Sequence, residues 1–228
     1  PLTQETKKQL SQKDLLLKKV EKKVRDLGGL VIESYYYAFV GSFVRVEPEM
    51  VKVLEKDPAV QMVVKNGQAF LDESSFWVRS WGIDRVDQLN LPLDKVYAPK
   101  YRGGRSHVYI IDSGVRKSHQ EFRNRIRLGY TALNDNSSPY DDCNGHGTHV
   151  AGTVAGNTAG VAKGAKIHSV KVFGCSGATS FNIIVKAINW VIENHVKPAV
   201  ANMSLGGSLN EALNLAVSNA TKAGVHMV

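Results

Sequence analysis

The sequence predicts an α/β protein in two parts: a small α+β unit, then a larger, mainly parallel sheet with flanking helices. In the first part, a long helical pattern precedes short apolar runs. In the second part, short apolar strands alternate with helices, which is typical of a parallel sheet with right-handed crossovers. With 43% hydrophobic and 22% charged residues, the composition is ordinary for a globular protein.

The first part is predicted to begin with a helix whose apolar residues recur at helical spacing, with lysines on the opposite face. These apolar residues are Leu15, Leu16, Val20, Val24 and Leu27. Gly28-Gly29 ends the helix. The elements predicted after it are strands at Leu30–Tyr37 and Ala38–Val46, a helix at Pro48–Lys56, a strand at Val60–Val64 and a linker at 67–80.

The second part, from Trp81 onward, carries the alternating pattern. Its predicted elements are strands at His107–Ile111, Ile167–Phe173 and Ala199–Met203, and helices at His146–Ala155, Phe181–Asn194 and Glu211–Ala223. A further strand begins at Val225, and the sequence stops at Val228. Because a whole domain rarely stops inside a core strand, we expect this sheet to be incomplete.

Charge and length exclude some functions. The formal net charge is +8, with 12 basic against 11 acidic residues in 1–75 and 17 against 10 in 76–228. No helix-turn-helix or aromatic-interleaved basic motif accompanies this excess, so we expect a solvated basic face and no nucleic-acid partner. No apolar run is long enough to span a bilayer, and Pro1–Leu10 do not resemble a signal peptide.

The two cysteines, Cys143 and Cys175, fit either one disulfide or two buried thiols.

Two short segments could carry chemistry. Asp112 stands at the carboxyl end of an apolar strand, the edge at which open α/β sheets gather ligands. His146 stands between glycines at the start of a helix, whose positive end favours a neutral imidazole able to accept a proton. Taken alone, such an aspartate is most often a turn former, and such a histidine is usually structural. Their joint placement favours a proton-relay pair.

Here the sequence resembles a known family. Tyr109–Gly114 and Asn144–Gly152 are similar to the aspartate and histidine signatures of the subtilisin superfamily, most closely its proteinase K and aqualysin branch. The likeness extends through Trp81–Gln88, Leu91–Leu93 and Pro198–Gly207. The resemblance implies a subtilisin-like serine endopeptidase in which Asp112 is the triad aspartate and His146 the general base.

The resemblance also assigns binding residues. An extended peptide substrate would lie between two backbone edges. These edges are Ser204, Leu205, Gly206 and Gly207 on one side and Ser176, Gly177 and Ala178 on the other. It further implies a Cys143–Cys175 disulfide and thus secretion. The resemblance also implies a calcium ion in one loop. Lys95 and Val96 in this loop depart from the polar residues that relatives have there. No cofactor is expected for the chemistry. The calcium ligands would be Asp84, Asp87, Gln88 and Asp94.

The first part resembles the inhibitory propeptide of the same family, a small ferredoxin-like domain, here without the strand that usually precedes the helix. We therefore expect a propeptide over 1–75, the front of a catalytic domain over 76–228, and self-cleavage somewhere in 67–80. The family's serine nucleophile and oxyanion-hole asparagine would lie beyond Val228. Without them, we expect a monomeric zymogen fragment that hydrolyses no peptide.

Two alternatives remain open. The protein could be a catalytically dead binding or inhibitor module, and a Gly-Thr-Ser motif downstream would decide against this. Cys143, His146, His149 and Cys175 also have a spacing compatible with zinc, although we expect His149 to be a buried structural histidine. Three asparagines lie in glycosylation sequons, of which the first is in a clearly polar loop. They are Asn136, Asn202 and Asn219.

Overall fold

The computed structural model describes residues 4–71 and 81–228. The first part contains a long helix, a β-hairpin, a short helix and a separate strand. These are α1 (Gln4–Asp26), β1 (Leu30–Tyr35), β2 (Gly41–Arg45), α2 (Pro48–Glu55) and β3 (Gln68–Leu71). β1 and β2 pair antiparallel and form a two-stranded sheet against which α1 packs. The boundary predicted at residue 75 lies outside the described residues.

The buried face of α1 matches the predicted one at Val24 but differs from it in the middle of the helix, where Leu17 is buried in place of Leu15 and Leu16. Leu17 is 4% exposed and Val24 is 1% exposed, whereas Leu15 is 72% exposed. Residues 17, 21 and 24 lie on one side of a helix, and Glu21 on this side accepts hydrogen bonds from hydroxyls of the β1–β2 sheet. Because Leu15, Leu16 and Leu17 are consecutive, the sequence alone does not show which of them faces the core. In the structure it is Leu17, on the same side of α1 as Glu21.

The third strand was predicted in the wrong place. Val60–Val64 forms no strand, and β3 lies in the segment expected to be a linker. β3 pairs antiparallel with β7 (Ala178–Ser180) on one side and with β9 (Leu205–Gly207) on the other. Both partners come from the second part of the chain, so the local pattern around β3 could not reveal them.

The second part confirms the predicted fold class. Its central sheet has five strands in the order β10-β8-β4-β6-β5, and all its strand pairs are parallel. These strands are β4 (His107–Asp112), β5 (Tyr130–Thr131), β6 (Lys166–Lys171), β8 (Ala199–Asn202) and β10 (Val225–Met227). The helices of this part are α3 (Trp81–Val86), α4 (His146–Ala155), α5 (Phe181–Asn194) and α6 (Glu211–Ala223). No helix within the described residues is both long and apolar enough to cross a membrane.

The central strand β4 is buried along its whole length, because helices cover both faces of the sheet. Val108 and Ile110 pack into a cluster with α4, whereas Tyr109 and Ile111 pack into a second cluster with α5 and α6. This alternation fixes the register of the strand. It places Asp112 at the carboxyl edge of the sheet.

The loop between β1 and β2 docks on the helices of the second part. The side-chain oxygen of Asn189 on α5 accepts hydrogen bonds from the backbone N–H groups of Tyr37 and Ala38, at 2.8 and 2.9 Å. The amide of Asn219 on α6 donates to the Ala38 carbonyl oxygen at 2.7 Å. These contacts take residues 36–40 out of the hairpin, so β2 begins at Gly41 and not at the predicted Ala38.

A buried histidine pair lies at the opposite edge of the sheet from Asp112. The Nδ1 atom of His107 is 2.8 Å from Nε2 of His168, and Nδ1 of His168 is 2.8 Å from the Leu128 carbonyl oxygen. Since a carbonyl can only accept, His168 carries its proton on Nδ1 and accepts from His107 on Nε2. The ring of Tyr109 stacks on His168 at 4.3 Å. Burial lowers the pKa of His168 to about 4 from its ordinary 6.5.

This pair predicts loss of stability in mild acid. The unfolded chain takes up a proton on His168 near pH 6.5 and the folded chain near pH 4, so the stabilisation is complete above pH 6.5 and is lost as the pH falls toward 4. The loss is on the order of 3 kcal/mol in the free energy of unfolding. Denaturant unfolding measures the free energy of unfolding at pH 7 and at pH 4.5. The difference between these two free energies should be smaller for His168→Gln than for the unmodified chain. His226→Gln, at an exposed histidine, should leave that difference unchanged.

Candidate active site

Asp112 and His146 face each other across the carboxyl edge of the sheet. Asp112 ends β4 and is fully buried, and His146 is the first residue of α4. The Nδ1 atom of His146 lies 2.8 and 2.9 Å from the two carboxylate oxygens of Asp112. The backbone N–H of Ser113 also donates to Asp112, at 2.7 Å. Two residues that are 34 positions apart are thus joined by a hydrogen bond.

This contact sets the imidazole tautomer. Burial raises the pKa of Asp112, while hydrogen bonds from His146 and Ser113 oppose that rise. The imidazole N–H therefore compensates a carboxylate that has lost its hydration. With the proton held on Nδ1, the other ring nitrogen, Nε2, is the basic one. Such a pair can accept a proton at Nε2 and stabilise the imidazolium that forms.

Two glycines allow His146 to reach this position. Gly145 adopts a φ of 93°, in the left-handed region that favours glycine. At Gly147, a Cβ atom would lie 2.2 Å from the Gly114 carbonyl oxygen and 3.0 Å from an Asp112 carboxylate oxygen. The absence of a side chain at Gly147 lets the first turn of α4 approach the end of β4.

A second carboxylate, Asp142, holds the start of α4. Its oxygens accept hydrogen bonds from the hydroxyl of Ser113, the N–H groups of Gly145 and Thr148, and the hydroxyl of Thr148. Burial alone would raise the pKa of Asp142, but these hydrogen bonds lower it below the ordinary value. The sequence motifs do not single out this residue. It lies three residues before Gly145, the N-cap of α4, and so not at the position where a capping aspartate is usually found.

The two edges predicted for substrate binding lie on either side of β3. Phe70 is in register with Gly206 and Ala178, and Leu71 is in register with Leu205. The Leu71 N–H also donates to the Gly177 carbonyl oxygen at 3.2 Å. β7 runs over residues 178–180, two positions later than the predicted edge, so Ser176 lies outside it. Ser204 also precedes β9 and accepts a hydrogen bond from the Asn202 amide.

Alternate side chains of β3 face different surroundings. Ala69 is fully buried, whereas Phe70 is 53% exposed. A Cβ atom on Gly67 or on Gly207 would lie within 3 Å of the Phe181 ring, so this ring closes the face on which Ala69 lies. The geometry therefore favours a small side chain at the position of Ala69.

Cys143 and Cys175 form a disulfide, with their Cα atoms 5.1 Å apart. It joins the loop before His146 to the loop before β7, and the Asn144 amide donates to the Cys175 carbonyl oxygen beside it. Because both sulfurs are bonded to each other, they cannot bind zinc as thiolates. His149 is exposed, contrary to the expectation of a buried histidine. No group of three or more His, Cys, Asp or Glu side chains converges as a metal site in the described ranges 4–71 and 81–228.

The loop expected to bind calcium uses most of its oxygens internally. Each predicted ligand accepts a backbone N–H: Asp84 from Lys95, Asp87 from Ala98, Gln88 from Asp94, and Asp94 from Val96. Among the described contacts, the second oxygen of Asp84 is buried without a hydrogen-bond partner. A buried carboxylate oxygen with no donor is suited to a hard cation.

The three sequons differ in exposure and in contacts. Asn136 is exposed and has a φ of 56°. The amide of Asn202 donates to the Ser204 hydroxyl, and that of Asn219 donates to the Ala38 carbonyl oxygen. Glycosylation therefore stays a prediction for Asn136 alone.

The profile of the Subtilase family matches residues 103–228, which include Asp112 and His146. The chain belongs to the subtilase family. This subtilase is 45% identical over 204 residues to the Extracellular serine proteinase of Thermus sp. (strain Rt41A), an alignment that covers 88% of the chain and 48% of that protein. It is 40% identical over 205 residues to the Alkaline serine exoprotease A of Vibrio alginolyticus, covering 87% of the chain and 38% of that protein.

A solved structure supports the same assignment. The subtilase matches the crystal structure of a cold adapted subtilisin-like serine proteinase with a TM-score of 0.63 and 46% sequence identity, over 65% of this chain and 54% of that one. The subtilisin-like α/β fold predicted from the sequence is thereby confirmed. This subtilase spans about half of the Thermus relative and less of the Vibrio relative.

Proposed function

We propose that the protein is a serine endopeptidase that uses Asp112 and His146 as its proton relay. The observation that carries this proposal is the hydrogen bond between these two side chains beside two strand edges able to hold an extended peptide. A serine hydroxyl from the longer protein would attack the peptide carbonyl while Nε2 of His146 takes its proton. The imidazolium would then return that proton to the leaving amine. Asp112 would stabilise the imidazolium between these steps.

We further propose that residues 1–75 act as an intramolecular inhibitor. Two observations support this. β3 fills the position between β7 and β9 that an extended substrate would occupy. The β1–β2 loop is also held by Asn189 and Asn219. An inhibitor anchored at two places loses little further entropy when the second contact forms, so its overall affinity exceeds that of either contact alone. Release would require cleavage, which we place in 67–80.

The names of relatives and the disulfide support a secreted protein that acts on protein substrates. We propose that it is monomeric and needs no cofactor for the chemistry. The catalytic serine and the oxyanion-hole asparagine are proposed to lie outside residues 1–228, since no Gly-Thr-Ser segment occurs within them. We call the chain together with that region the full-length protein.

A comparison of two proteins tests this function. The full-length protein should hydrolyse casein and a peptide substrate, while residues 1–228 alone should show no turnover, because a relay without its hydroxyl has nothing to activate. Turnover by residues 1–228 alone would contradict the proposed roles. If the full-length protein binds the peptides tightly but cleaves none of them, the catalytically dead alternative is correct.

We also propose that the buried oxygen of Asp84 that has no hydrogen-bond partner binds a structural calcium ion. Asp87, Gln88 and Asp94 lie in the same loop, but among the described residues the carboxylates do not converge on one point, so these side chains would have to turn inward to complete the site. Calcium at a hundred times its dissociation constant should stabilise the folded chain by about 2.7 kcal/mol, which raises the thermal midpoint. The measurement is a thermal melt of residues 1–228 in excess EDTA and again in excess calcium. Asp84→Asn should abolish the difference, whereas Asp135→Asn, in a separate exposed loop, should preserve it. Equal midpoints in EDTA and calcium would refute the site.

A further inference from the structure

Lys171 is a buried lysine to which the mechanism above gives no role. It is the last residue of β6 and lies in register beside Asp112 on the neighbouring strand. Only 2% of its surface is exposed. An ammonium group in such a place is costly unless its N–H donors are satisfied. Its partners therefore indicate what it does.

The partners of Lys171 are two backbone carbonyl groups. Its Nζ atom donates to the carbonyl oxygen of Ser113 and, at 2.8 Å, to that of Asp141. Ser113 directly follows Asp112. Asp141 directly precedes Asp142, whose carboxylate holds the start of α4 and thus His146. One ammonium group consequently joins the segment that carries the aspartate to the segment that carries the histidine.

A second link runs parallel to the first. The Ser113 hydroxyl donates to Asp142 and accepts from the Gly147 N–H, at 2.8 and 2.9 Å. The links through Lys171 and Ser113 leave little freedom for the end of β4 to move relative to α4. Both links contain charge-assisted hydrogen bonds, and the ammonium contributes two of them, one to each of the two segments.

We propose that Lys171 is a positioning residue that fixes the separation of Asp112 and His146 by clamping the Ser113 and Asp141 carbonyl groups. Its catalytic consequence rests on the proposed protease function, but the positioning itself does not. The alternative is that Lys171 serves only the stability of the sheet. The two differ in a measurable way, because loss of general stability would not alter the hydrogen bond between His146 and Asp112 in molecules that remain folded.

Lys171→Met tests the proposal, with Lys166→Met at the other end of β6 as the matched control. In residues 1–228 labelled with ¹⁵N-histidine, the Nδ1–H proton of His146 is identified by its absence in His146→Ala. This resonance should be downfield in the unmodified chain and in Lys166→Met, and shifted upfield or broadened in Lys171→Met. In the full-length protein, Lys171→Met should lower kcat about 10- to 100-fold with little change in KM, as expected for a misplaced catalytic group.

The outcomes are separable. A folded Lys171→Met chain with an unchanged Nδ1–H resonance overturns the proposal, as does an unchanged kcat. If this variant does not fold, Lys171→Gln, whose amide can keep one of the two hydrogen bonds, should show an intermediate shift. Failure of both to fold, while Lys166→Met folds, would assign Lys171 to overall stability and reject positioning. If the unmodified full-length protein hydrolyses no peptide, the protease proposal fails, yet the resonance still decides the role of Lys171.

Discussion

Asp112→Asn in the full-length protein is expected to lower kcat by about 10⁴-fold. An asparagine amide can present its N–H₂ group to Nδ1 of His146, which would move the imidazole proton to Nε2. The nitrogen that should accept the serine proton would then already carry one. The fold should survive, because asparagine has nearly the same shape as aspartate and the site is already shielded from water.

The measurement is steady-state hydrolysis of a peptide substrate, with thermal melts to show that the variant is folded. Asp135→Asn removes the same charge at an exposed position and should keep the kcat of the unmodified protein. His146→Ala should lose at least as much activity as Asp112→Asn. A folded Asp112→Asn protein with normal kcat would show that the Asp112–His146 contact is structural.

Gly147→Ala is expected to damage stability and activity together. The new methyl group would collide with the Gly114 carbonyl oxygen and press on the Asp112 side chain, so α4 must move away from β4. Overpacking of this kind costs about 1–3 kcal/mol in the free energy of unfolding. The same movement separates His146 from Asp112, so kcat should fall as well.

The control for this prediction lies on the same helix. At Gly152, a Cβ atom would meet no other atom within 4 Å. Gly152→Ala should therefore raise the free energy of unfolding by up to about 1 kcal/mol, since alanine favours the helix more than glycine does. Denaturant unfolding of both variants measures the difference. If Gly147→Ala proved as stable as Gly152→Ala, the close approach of α4 to β4 would be disproved.

Several elements could be predicted because their signals are local. α4, α5 and α6 have the predicted bounds, because the periodicity that indicates a helix depends only on residues within that helix. Asp112 and His146 were identified because each stands in a short motif at the end or start of an element. The prediction of a parallel sheet succeeded for the same reason, as alternating strands and helices allow few other arrangements.

Other features depended on contacts between distant segments. β3 was missed because its partners, β7 and β9, follow it by more than a hundred residues, and a short strand exists only where such edges offer free N–H and C=O groups. The phase of α1 and the exposure of His149 likewise follow from what packs against them. Neither can be obtained from spacing alone.

The sequence by itself determined the class of fold, the helices of the second part and the two residues proposed to relay the proton. Tertiary structure alone decided that β3 occupies the place between two edges, and that Asp142, Ser113 and Lys171 join β4 to α4. The physical reason is the range of the interactions. Amphipathic periodicity acts within one element, whereas a buried lysine finds its carbonyl partners only after separate segments have packed together.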